Sequence, residues 1–271
     1  MTEPSAPSQL VVNASVQLAQ ILQGPMQAEK LNRALRHLAK WRAMMLLQTI
    51  VSRDGPRVQS GPFAGMMYRM ASEGAGAARL LGCYESSLAP VIDQIARGPY
   101  AQIIDIGCAE GYYAVGLARL MPQCRILARD ANPDALALCA QLAADNGVAD
   151  RVITGGAMQH ADLDICAAAR TCIICDIEGA EAALLDPALA PALLQADILV
   201  ETHHPDTIAL LTDRFAATHR VERLDRRLAP QGLPDWMDSF SDLDRLLALW
   251  EWRTAPTPWL WMTERTTHAQ Q

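Results

Sequence analysis

The stretch Ile103 to Ala118, IIDIGCAEGYYAVGLA, limits what this chain can fold into more than any other. Apolar residues lead into Asp105, glycines follow at 107 and 111, and small residues continue behind them. That order spells a buried strand, a tight turn and a helix whose first turn lets something approach its backbone. Glycine suits both turn positions because a side chain would block the left-handed geometry or the ligand. The stretch reads as a nucleotide-type cofactor site.

The rest of the chain is long enough to bury a full core, with 271 residues of which 51% are hydrophobic. Its net charge of −7 argues against nucleic acid or an anionic membrane as partner. Apart from Lys30 and Lys40 the basic residues are all Arg, a compositional bias without functional content. The seven cysteines (83, 108, 124, 139, 166, 172 and 175) are odd in number and scattered through apolar patterns. There a cysteine acts as a small hydrophobe, so a reduced, cytoplasmic chain is expected. No apolar run approaches a membrane span, and the opening MTEPSAPSQL lacks the basic start and apolar core of a signal peptide.

Around the central stretch, strand and helix alternate. Strands are expected at Ile103–Ile106, Cys124–Ala128, Arg151–Thr154, Thr171–Cys175, Ala196–Val200, Arg220–Leu224 and Trp259–Met262. Asn132-Pro133 opens a helix that closes at Asn146-Gly147, and Ser87 with Pro90 opens another carrying Val91, Ile92 and Ile95. Such alternation implies a mostly parallel sheet covered on both faces, with ligands at the carboxyl ends of its strands. Asp105, Asp130, Asp176 and Glu201 fall at or near such ends. Cys172 and Cys175, three apart in one strand, face opposite sides of the sheet and are core, not a metal pair.

Residues 1–60 stand apart as a helical extension, with residues 1–8 frayed. One helix carries Leu18, Ile21 and Leu22; after Gly24-Pro25 a longer one carries Leu31, Leu35, Leu38, Trp41 and Leu46. These helices could pack on the main domain, cover its site, or pair two copies as a homodimer. Residues 61–100 form a connecting segment with the flexible stretch 73–76 and the first helix, and 101–271 the sheet domain. Five tryptophans (236, 250, 252, 259 and 261) crowd the end of the chain, mostly as packing. Of Tyr112 and Tyr113, one is expected near the cofactor and the other in the core.

The Gly107–Gly111 turn departs from the dinucleotide pattern G-x-G-x-x-G, since Ala109 and Tyr112 replace the second and third glycines. It fits D-x-G-x-x-x-G and resembles motif I of class I S-adenosylmethionine-dependent methyltransferases. Cys175-Asp176-Ile177-Glu178-Gly179-Ala180-Glu181 is similar to the D-x-E-G-x-E signature of the FkbM-like branch. Leu81-Gly82-Cys83-Tyr84-Glu85 resembles its G-x-Y-E element, and Val200-Glu201-Thr202-His203 its V-E-x-H element. The resemblance runs from Leu81 to Pro205. It implies an α/β, Rossmann-like sheet of seven strands, mostly parallel with the last one antiparallel; the helical extension at 1–60 lies outside it. It implies S-adenosylmethionine as cofactor, over Gly107 and Gly111, with Asp130 on the ribose hydroxyls. Gly156 and Ala157 would flank the adenine and Glu85 would help at the methionine end. Asp105, Cys108, Tyr112, Ala131 and Asp176 complete the expected contacts.

The implied reaction is methylation of a hydroxyl on a small molecule, sugar or natural product. Such a transfer needs in-line approach and removal of a proton. His203, His204 and Asp176 are the candidates for that work, since an imidazole titrates near neutral pH. Asp176, Glu178, Glu201 and His203 also have the composition of a Mg²⁺ or Mn²⁺ site. Carboxylates at 178 and 181 equally suit the first turn of the following helix, so no metal is expected. The alternatives are an N-methyltransferase acting on an amine or peptide, which needs no strong base, and an inactive binding protein of the same fold.

Overall fold

Seven strands form one sheet: β1 (Gln102–Ile106), β2 (Arg125–Arg129), β3 (Val152–Gly155), β4 (Thr171–Cys175), β5 (Ala196–Glu201), β6 (His219–Leu224) and β7 (Trp259–Glu264). Their order is β3-β2-β1-β4-β5-β7-β6, and β7 runs antiparallel to both of its neighbours. These are the seven expected strands, each within a residue or two of its expected bounds. The computed structural model describes residues 8–69, 74–227, 233–253 and 255–265. The frayed start at 1–8 therefore falls almost wholly outside the described residues, as does Glu73 of the stretch 73–76.

The central strands β1, β4 and β5 are buried along their whole length, which is why they read as continuous apolar runs. Cys172 belongs to the core on one face of the sheet and Cys175 to the core on the other, as their spacing requires. All seven cysteines are buried free thiols. Strand order reverses between β1 and β4, the switch point at which open α/β sheets bind ligands.

The helices fall in chain order: α1 (Gln9–Ile21), α2 (Ala28–Asp54), α3 (Gly76–Leu81), α4 (Ala89–Arg97), α5 (Tyr112–Leu120), α6 (Pro133–Asp145), α7 (Glu181–Leu184), α8 (Pro205–Phe215) and α9 (Asp242–Ala248). Asn132 caps α6 through the Asp134 N–H with Pro133 in its first turn, as expected. Ser87 does not cap α4. A 3-10 turn over Ser86–Leu88 precedes that helix, and the Ser87 hydroxyl instead accepts from the Arg227 N–H. α3 lies where only a flexible link was expected, built on the small residues after Gly74. The helix after β4 is a single turn, α7.

The N-terminal pair corrects the apolar face assigned to it. Leu31 and Leu35 are 54% and 67% exposed, and the buried positions of α2 are Ala34, Ala43, Leu46 and Ile50. Leucine spacing therefore picked the wrong stripe over the first half. The second half docks on α3 and α9, where the Arg42 guanidinium binds Asp244 through two hydrogen bonds of 2.7 Å. α1 buries no residue and packs on α2, with His37 reaching the Ala14 carbonyl at 2.9 Å. The tryptophans are packing: Lys40 sits 4.7 Å over the Trp252 ring and Arg53 4.8 Å over Trp236, while Trp259 and Trp261 are buried in β7. No helix among the described residues is long and apolar enough to cross a membrane.

Candidate active site

At the carboxyl ends of β1, β2 and β4 lies a cleft of about 890 Å³. Gly107 forms its floor at φ +82°, and a Cβ there would stand 1.7 Å from the Asp176 carbonyl oxygen. This glycine is dictated by the approach of β1 and β4 as much as by any ligand. Gly111, at φ +92°, would push a Cβ to 2.6 Å from the Cys139 sulfur, so it seats α5 against α6. Between them Ala109 takes φ +46°, a left-handed conformation that a non-glycine residue adopts only when tied down.

The tie is Asp130. Its Oδ2 accepts from the Ala109 N–H at 2.9 Å and its Oδ1 from the Asn132 N–H at 2.7 Å. A carboxylate oxygen accepts twice, so each still has a free lone pair where the side chain lines the cleft. Ala131 and Ala157 line the same wall, with Met158 beside them. Gly156 adjoins this wall without lining the cleft. A Cβ on the preceding Gly155 would meet the Arg129 guanidinium at 2.7 Å, so Arg129 lies across that turn.

Four other expected cofactor contacts lie behind the wall. Asp105 is buried under the turn with Oδ2 unpartnered, and burial pushes its carboxyl up to about 7. Cys108 packs near Cys139 in the core. Tyr112 and Tyr113 both belong to an edge-to-face aromatic cluster with Phe63, Tyr68 and Tyr84, so neither borders the cleft. Glu85 is buried where the Tyr113 hydroxyl donates to it and Arg253 pairs with it. Burial still dominates there and holds the Glu85 carboxyl near 7.

The ends of β4 and β5 bring together the second expected group. His203 presents Nδ1 to Glu181 Oε1 at 2.7 Å. That oxygen also accepts from the backbone N–H groups of Ile177 and Gly179, which fixes Glu181 in full burial. The opposite nitrogen, Nε2, faces Glu178 at 3.3 Å, Asp176 at 3.6 Å and Glu201 at 3.7 Å. Asp176 and Glu178 line the cleft, and His203 stands behind them. Burial, then the Glu201 charge, pushes the Asp176 carboxyl up to about 9. His204 lies outside this group, exposed at the start of α8 beside Gly179.

Arg253 anchors the whole edge. Its guanidinium pairs with Glu85 and Glu201 and reaches Glu251 Oε2 at 3.1 Å, while Arg226 donates to the same oxygen at 2.7 Å. The Thr257 hydroxyl donates to Glu201, and Thr202 donates to the Pro258 carbonyl. Sequence reasoning passed over Arg253, because nothing local in that chain segment points to β5. It also passed over Arg79, whose guanidinium stands 4.4 Å from the Tyr84 ring, donates to the Tyr68 hydroxyl at 2.9 Å and pairs with Glu110. Arg79, Tyr84 and Glu110 all line the cleft.

No family model matches the chain, and no curated protein matches its sequence. Solved structures match in shape. An O-methyltransferase from Bacillus cereus, in complex with SAH, aligns at 11% identity over 95% of this chain and 100% of its own, with a TM-score of 0.43. The O-methyltransferase TomG from Streptomyces achromogenes, in complex with SAM, aligns at 13% identity over 95% and 99%, TM-score 0.43. A ribosomal protein L11 methylase from Lactobacillus delbrueckii aligns at 14% identity over 68% and 80%, TM-score 0.44. Likeness at this level does not separate one activity from another.

Proposed function

We propose that this chain is an S-adenosylmethionine-dependent methyltransferase of the FkbM-like kind, acting on a hydroxyl of a small molecule. One observation carries the reading. The motif I turn, Asp130 and the Asp176 segment converge on a single cleft of about 890 Å³, at the point where strand order reverses. That volume lies in the range of small-molecule sites, roughly 300–1,000 Å³. Asp130 keeps free lone pairs on both carboxylate oxygens for two vicinal ribose hydroxyls, and the Ala131–Ala157 wall suits a flat base. Bound there, S-adenosylmethionine supplies an electrophilic methyl group to a nucleophile approaching in line.

The chain supplies the rest. Asp176 and Glu178 stand at the cleft wall and His203 behind them, so proton removal from the acceptor belongs to this cluster and not to a lone imidazole. A proton-accepting cluster at the cleft wall supports a hydroxyl acceptor over an amine, which needs no dedicated base. Seven unpaired buried thiols support a cytoplasmic setting. Calorimetry with S-adenosylhomocysteine tests the cofactor directly. One equivalent bound by the parent is expected, with affinity at least ~10-fold weaker in Asp130→Ala for the lost charge-assisted hydrogen bonds. A parent that binds none removes the reading.

A further inference from the structure

We propose that the exposed leucine stripe of α2 is a dimer interface, and that its occupant is the same stripe on a second copy of this chain. Leu31, Leu35 and Leu38 follow one another at steps of four and three, so they share one side of the helix. They are 54%, 67% and 40% exposed. The next position of that stripe is Arg42, which is bound to Asp244 of α9. The body of the molecule therefore closes the stripe at one end and leaves the rest bare.

The helices α1 and α9, both packed on α2, are bare as well. α1 carries no charge, buries no residue, and leaves Val12 and Val16 39% and 52% exposed. α9 leaves Leu243 and Leu246 63% and 60% exposed. Covering these seven side chains removes roughly 700 Å² of surface per copy, whereas the largest apolar patch of a typical monomer is roughly 300–600 Å². Each partner of a standard interface contributes about 800 Å², so two such faces with a polar rim bury what a stable pair needs.

Charge selects the occupant. Arg33, Arg36 and Lys40 project from the opposite side of α2, and no acid interrupts the stripe. A partner of other chemistry would be picked out by charges that this face lacks. An uncharged stripe is complementary to itself. Turned about a two-fold axis, Leu35 meets the partner's Leu35 and Leu31 the partner's Leu38, while the two sets of cations point apart. This pairing does not rest on the methyltransferase reading.

The test is sedimentation of the full chain across about 1–100 µM, a range in which interfaces at the small end of the stable class dissociate. A shift from the 29.5 kDa monomer to twice that mass is expected. Below that range the chains are separate, and shortening a stripe leucine leaves the unfolding of the single chain unchanged. Leu35→Glu is expected to stay monomeric throughout with a parent-like Tm, because its side chain already faces solvent in the single chain. Leu189→Glu, 61% exposed between α7 and β5, is expected to pair like the parent. Leu35→Cys is expected to give a disulfide-linked dimer under a mild thiol oxidant, and the seven native thiols, all buried, stay out of that reaction. A parent that is monomeric across the whole range, or Leu35→Glu that pairs as the parent does, overturns the interface. A monomer that binds anionic vesicles through these helices gives the stripe to a membrane and overturns it equally.

Discussion

At the scale of single residues, Asp130 does two things with one carboxylate. It holds Ala109 in a left-handed conformation and still faces the cleft. Asp130→Asn should therefore retain part of the loop order that Asp130→Ala loses, and calorimetry should rank parent, Asn and Ala in falling affinity. Asp105 makes a separate prediction through pH. Its carboxyl is raised in the folded chain, so the fold binds a proton that the unfolded chain has released. The stabilisation is complete below the unfolded value near 4 and is lost as pH rises through about 7. The loss is on the order of 4 kcal/mol. Asp105→Asn, neutral at every pH, should be the more stable form at pH ~8 and flatten the decline of Tm between pH ~5 and ~8. A parent Tm that rises over that window would refute it. The sequence marks Asp105 and Asp130 alike as strand-end acids. Only packing shows that one looks into the cleft and the other into the protein.

Among elements, α2 shows how far periodicity carries. Its length and its stop at Arg53-Asp54-Gly55-Pro56 were legible, with Gly55 closing it at φ +74°. Its buried stripe was legible only in part: Leu46 is buried as expected, while over the first half Ala34 makes the contact that Leu31 and Leu35 were expected to make. Ile50, 1% exposed, anchors the docked half, and Ile50→Ala should cost about 3 kcal/mol in denaturant unfolding. Leu35→Ala should stay within about 0.5 kcal/mol. Equal costs would put the packing face where the leucines are. The strands were easier to read, since seven short apolar runs bounded by turn residues leave little choice. The single turn of α7 was harder: Glu181 reads as helix-start charge, yet its carboxylate turns inward to His203.

On the scale of the molecule, one half of the candidate site is local and the other is not. Gly107, Asp130 and Asp176 follow β1, β2 and β4 and were found from their spacing. The clamp on Glu201 comes from Arg253, 52 residues further on, through contacts that no local pattern encodes. Arg253→Ala would leave Glu85, Glu201 and Glu251 buried without their shared cation, at a cost of about 3–5 kcal/mol. Thermal unfolding should show that loss, and Arg253→Lys should recover little of it, because an ammonium cannot meet three carboxylates as a planar guanidinium does. Full recovery by Lys would reduce the clamp to simple charge.

The position of β7 has a consequence for how the chain is made. It is the last strand in sequence, yet it lies between β5 and β6. On the ribosome, β6 emerges with no strand to pair with and must wait for β7 to slot in beside β5. The same late segment brings Arg253, Thr257 and Pro258 to Glu201 and Thr202. A nascent chain can thus complete the Gly107–Gly111 turn early, while Glu201 gains its partners only once the segment leading into β7 has followed.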